Sequence, residues 1–218
     1  MASTHNVSYR WVILSVGFTS IICGYICRNT FSVFYPAIVE GFGWTRGNTG
    51  LIFSVNSLAY GLSAPIAGAL TDRLPPRYVL AGGATLVGTG MALCSTATAL
   101  WQFVVLYGVV VGMGLSLIGW APVSTLVARW FHERRALAFG VLGAATGMSY
   151  LSAYAAQQVI AHMGWDTAYA AIGALIPLVV VPISLVLVRR EVCRYRPVYG
   201  SRISRRTSSA INHGHALA

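Results

Sequence analysis

Side chains able to do chemistry are scarce in the long apolar runs of this sequence: Arg28, Asn29, Asn56, Tyr60, Tyr150, Tyr154, Gln157 and Gln158. No Ser-His-Asp, Cys-His or paired-carboxylate set can be assembled from them. His132 and His162 lie at the ends of such runs, and His5, His213 and His215 lie in the tails. A hydrolase or metalloenzyme needs a nucleophile or metal with its base in reach, so neither an enzyme nor a metal or cofactor site is expected. No Asp or Glu falls within an apolar run, which leaves no self-contained proton relay. Cys23, Cys27 and Cys94 sit in apolar runs and Cys193 in the tail, without zinc spacing or the pattern of a secreted disulfide framework. They read as packing thiols.

Arg28 stands apart. If its run spans a bilayer, a guanidinium there costs about 3 kcal/mol or more and usually faces a cavity or a partner. It lies about 10 Å from the outer end of its run at helical rise, near enough to snorkel toward headgroups. The favoured alternative is a cation facing a central cavity, its five donors forming a planar fork that matches a carboxylate. Tyr25, at i−3, shares its helix face and can support the same anion. Asn56 and Tyr60 are weaker binding candidates, since a polar residue in a span can serve an interhelical hydrogen bond alone.

The elements that must position these residues follow from charge. The chain has 218 residues, 56% of them hydrophobic and 9% charged, whereas soluble domains carry about 25% charged residues. One soluble globule of this size cannot hide that surplus. An integral membrane protein is expected. Uncharged runs of bilayer length predict spans at about 11–35, 47–71, 78–98, 101–128, 136–161 and 167–188. The 51 uncharged residues from Tyr78 to Ala128 would make one helix about 77 Å long, so the Ser95-Thr96-Ala97-Thr98 stretch must divide two. The fold class is therefore all-α, a six-helix membrane bundle. The first run lacks a small-residue cleavage site and is too long for a signal peptide's apolar core, so it should stay attached.

All fifteen basic residues are Arg and the net charge is +10. The charges punctuate runs instead of lining one face, which argues against a nucleic-acid partner. With six spans, thirteen of the fifteen Arg fall on one side, the cytoplasmic side of an inner (plasma) membrane. Residues 1–10 and the Arg/Ser-rich tail 189–218 are then both cytoplasmic. That tail should be disordered and contact anionic lipid. Trp11, Trp44, Trp101, Trp130 and Trp165 fall at span ends, as an aromatic belt requires. Gly108-xxx-Gly112 and Gly143-xxx-Gly147 suit close helix packing, and span four, with Gly119 and Pro122, should be able to bend.

The stretch Gly68-Ala69-Leu70-Thr71-Asp72-Arg73-Leu74-Pro75-Pro76-Arg77 resembles the loop 2–3 signature of the major facilitator superfamily, with Pro75 where Gly is usual. Gly24-Tyr25-Ile26-Cys27-Arg28 looks like the first helix of monocarboxylate-transporter-like members. Arg129-Trp130-Phe131-His132-Glu133-Arg134-Arg135 resembles their loop 4–5, and Gly43-Trp44 and Gly164-Trp165 sit where oxalate/formate-antiporter-like relatives carry Gly-Trp. The resemblance implies the first half of a twelve-helix fold. It further implies a carboxylate held at Arg28 and an inner gate formed by Gly68, Asp72, Arg73 and Arg77. The expected activity is transport of small organic anions by alternating access, with a second six-helix half or another copy as partner. The alternative is a truncated, non-transporting membrane protein or interaction subunit.

Overall fold

Arg46, the Asp72–Arg77 segment and the Arg129–Arg135 segment mark helix ends in the computed structural model, which describes residues 4–131, 134–151, 154, 157–158 and 165–188. α1 runs Thr4–Phe42 and stops at Gly43, whose φ of +65° is the left-handed backbone that glycine adopts at least cost. α2 runs Arg46–Arg73, capped by Thr45, whose Oγ1 accepts from the Asn48 amide at 3.3 Å. α3, Pro76–Cys94, has proline in its first turn, where no amide is needed. Pro75 just before it makes a stiff connection to α2. α7 covers Arg135–Ser149 and α8 Trp165–Leu187. No strand occurs among the described residues.

Among the described residues, four segments are long and apolar enough to cross a membrane: Tyr9–Pro36, Arg46–Arg73, Leu100–Trp130 and Thr167–Leu187. α3 is a continuous helix of 19 residues that begins with Pro76, Arg77 and Tyr78. The first helix extends beyond the 11–35 expected for span one at both ends. The third ends at Cys94, and the chain then turns, as the Ser95–Thr98 stretch suggested. Residues 152–153, 155–156 and 159–161 of the run expected to reach residue 161, together with His132, Glu133, His162 and the tail 189–218, lie outside the described residues.

The fourth crossing is not one regular helix. It comprises α4 (Leu100–Phe103), a π-helix (Val104–Val111), α5 (Gly112–Ile118) and α6 (Trp120–Trp130). Gly119 interrupts it with φ −84° and ψ −157°. Pro122 falls in the first turn of α6, where its missing amide costs nothing. The bend expected of this span is thus a break placed at Gly119, just ahead of the proline.

Two apolar clusters hold the bundle. Toward the C-terminal end of α1, Phe31 stacks on Tyr107 at 4.6 Å and Phe34 meets Tyr169 at 4.3 Å between centroids. Toward its N-terminal end, Ile13, Leu14 and Val16 pack with Leu126, Val127, Ala138 and Leu142. Inside lipid such contacts stabilise by close packing more than by removal from water. α3 and α8 touch backbone to backbone: a Cβ on Gly88 would lie 2.6 Å from the Gly173 carbonyl oxygen. The opposite surfaces are apolar and open, with Leu58, Leu62 and Ile66 on α2 and Leu178 and Val186 on α8 all more than 60% exposed.

Candidate functional site

Arg28 projects from the middle of α1 toward α2, and it is only half-buried. Its Nη2 donates to Ser57 Oγ at 3.1 Å. The guanidinium carbon lies 5.3 Å from the Phe53 ring centroid and 5.4 Å from that of Tyr60, within cation–π range. Phe53, Ser57 and Tyr60 stand at i, i+4 and i+7 on α2, hence on one face. Beside them is a small pocket, partly open to the exterior, lined by Ile21, Gly24, Tyr25, Arg28, Tyr60, Leu115 and Gly119. The break in the fourth crossing supplies one wall, because Gly119 brings backbone where a side chain would otherwise stand. A Cβ there would lie 2.9 Å from Tyr60 Oη.

Three of the four expected binding residues, Tyr25, Arg28 and Tyr60, therefore share one pocket. Asn56 does not line it. Asn56 is fully buried between α2 and the π-helix, where its Nδ2 donates to the Tyr107 carbonyl at 2.7 Å and its Oδ1 has no partner among the described residues. Phe53, Ser57, Leu115 and Gly119 join the neighbourhood unannounced by the sequence reading. The helical spacing of Phe53, Ser57 and Tyr60 was the signal that could have found the first two.

Chemically, the pocket offers one cation, two phenol groups and apolar walls. Ser57 and the two aromatic rings steady Arg28, and among the described residues no carboxylate pairs with it. A neutral hydrogen-bond acceptor orients a guanidinium without cancelling its charge, so the cation stays available to an anion.

The Gly68–Arg77 segment lies at the other end of α2. Asp72 pairs with Arg129 of α6 at 2.8 Å, the Asp side chain being 67% exposed. Such an exposed pair contributes about 0–1 kcal/mol. Arg73 is exposed, and among the described residues nothing lies within 4 Å of the position a Cβ on Gly68 would take. Arg77 turns onto its neighbour instead: its guanidinium carbon is 4.4 Å from the Tyr78 centroid and Nη2 donates to Tyr78 Oη at 2.7 Å. The four residues thus share a chain segment and one end of the bundle without forming a single cluster. Arg129 is the added partner.

The sequence model of the Major Facilitator Superfamily matches residues 7–208. Among characterised proteins, mouse monocarboxylate transporter 12 is 26% identical over 177 residues, covering 81% of this chain and 36% of that protein. Rat monocarboxylate transporter 13 is 30% identical over 165 residues, 75% of this chain and 38% of that protein. Mouse monocarboxylate transporter 9 is 30% identical over 169 residues, 77% and 33% respectively. The chain spans about a third of the length of these relatives.

Proposed function

The chain belongs to the Major Facilitator Superfamily, and from that premise we propose that it takes part in moving small monocarboxylates across a membrane by alternating access, as one six-helix half of a carrier. The observation that carries this reading is Arg28. It is a half-buried guanidinium at mid-helix, beside a pocket, without a carboxylate partner among the described residues. Burying a charge there is costly, and an anion arriving during turnover compensates the cost. Tyr25 and Tyr60 flank the bound carboxylate, and the apolar walls from Ile21 and Leu115 receive its short tail. Asp72, Arg73, Arg77 and Gly68 act at the inner gate, with Arg129 holding Asp72 until the partner half engages it. The membrane is the inner or plasma membrane, with both termini in the cytoplasm.

A second half or a second copy completes the cavity. Support comes from α7, where, among the described residues, nothing lies within 4 Å of the positions that Cβ atoms on Gly140, Gly143 and Gly147 would take. An exposed small-residue stripe of that kind is what a closely packed helix partner needs.

The test pairs the chain with the C-terminal half of a monocarboxylate transporter relative and measures uptake of a labelled monocarboxylate. Arg28→Gln should abolish uptake while leaving insertion and abundance intact. Arg28→Lys should retain part of it, because the charge survives and the bidentate geometry does not. Normal uptake by Arg28→Gln would show that Arg28 merely snorkels to the headgroups.

A further inference from the structure

Most hydroxyl groups in these helices are spent on their own backbone. Ser20 donates to the Val16 carbonyl, Ser54 to Gly50, Thr71 to Ala67 and Ser124 to Ala121, at 2.7–3.1 Å. Ser57 makes no such bond among the described residues. Its Oγ accepts from Arg28 Nη2, and its own proton is unspent. Resting on the reading of Arg28 as the anion-binding group, we infer that Ser57 is a positioning and specificity-determining residue of the same pocket.

The two rings flanking Ser57 attract the guanidinium, but a ring quadrupole does not fix how the fork is turned, since it makes no donor–acceptor pairing. The Ser57 oxygen does fix it. One hydrogen bond pins one Nη, and the other donors of the planar fork remain for a ligand. The residue type matters as much as the position. An Asp at 57 would neutralise Arg28 and compete with the incoming anion; an Ala would leave the fork free to turn. A serine orients the cation without cancelling it. When a carboxylate reaches Arg28, the Ser57 hydroxyl can donate to it while still accepting from the guanidinium, so both residues bond the charged ligand together. An uncharged amide of the same shape draws far less from this arrangement, because bonds to ionised groups are roughly twice as strong as neutral ones.

The experiment uses the full chain purified into lipid nanodiscs, with propionate and its uncharged counterpart propionamide as probes and calorimetry as the readout. The lining residues named above come from this chain, so binding is measured on the chain itself, while transport is left to the completed cavity. The wild type should prefer propionate over propionamide. Ser57→Ala should weaken propionate binding about tenfold and leave propionamide within about twofold. Ser57→Thr, which keeps the hydroxyl, should recover propionate binding to within about threefold of wild type. Ser57→Ala binding propionate as tightly as wild type, while Arg28→Gln does not, overturns the role of Ser57 and leaves that of Arg28 standing. An equal loss for both probes without rescue by Thr makes Ser57 a packing residue and equally overturns it. A wild type that binds no propionate, or an Arg28→Gln chain that binds it normally, overturns the reading of the pocket itself.

Discussion

A methyl group added at residue 119 would meet the Leu115 carbonyl oxygen at 2.8 Å and Tyr60 Oη at 2.9 Å. The first of these is backbone and cannot swing away, so the strain is relieved by moving the break in the fourth crossing or by pushing Tyr60 into the pocket. Gly119→Ala should therefore lower propionate binding at least about tenfold, by calorimetry, with the chain still inserted and folded. Gly143→Ala, where an added Cβ meets nothing within 4 Å among the described residues, should leave binding unaltered. Equal affinities for the two variants would detach the pocket from Gly119. At this scale the sequence was partly legible. Arg28, Tyr25 and Tyr60 stood out because polar side chains at membrane depth are rare and costly. Ser57 was hidden because serine is unremarkable in a span and is usually satisfied by its own backbone. Gly119 was one glycine among several, and only its φ, ψ and the approach of Tyr60 distinguish it.

Among the elements, the fourth crossing carries the most information. Its π-helix is met by Asn56, whose amide reaches the Tyr107 carbonyl from the neighbouring helix at 2.7 Å. Removing a donor to a buried carbonyl costs about 1–3 kcal/mol. Asn56→Ala should accordingly lower the melting temperature in detergent by several degrees while the propionate-to-propionamide preference stays as in wild type. Loss of that preference at an unchanged melting temperature would instead assign Asn56 to the anion site. The all-α membrane character was readable because bilayer thickness demands about 20 apolar residues per helix. The π-helix and the break were not. Val-Val-Leu-Tyr-Gly-Val-Val-Val is equally compatible with a regular helix, and the deciding contact comes from Asn56, on the neighbouring helix and 51 residues away in sequence. The two Gly-xxx-Gly pairs also read alike but part company. Gly112 packs against the Asn56 carbonyl oxygen, 2.9 Å from where its Cβ would be, whereas Gly143 and Gly147 meet nothing within 4 Å among the described residues.

For the whole molecule, those open glycines on α7 and the exposed apolar face of α2 set an expectation about activity. The chain alone in proteoliposomes should bind a monocarboxylate yet show no saturable uptake, and uptake should appear when the C-terminal half of a relative is supplied. A Gly143→Leu/Gly147→Leu chain should bind propionate normally and fail to co-purify with that half. Robust uptake by the purified chain alone would point to a pair of identical copies. The backbone contact of Gly88 with Gly173 bears on a different matter, the order of events at the ribosome. α3 is synthesised about 80 residues before the helix that covers its glycines, so during that interval it stands in the membrane with an unfilled notch along one side. Release of α8 closes the notch, and Tyr9 then ties the two termini of the bundle through the Leu187 carbonyl at 3.1 Å. Nascent chains stopped before Trp165 should therefore be short-lived in a pulse–chase measurement, cleared by membrane quality control, whereas chains stopped after Val188 should persist as long as the full sequence.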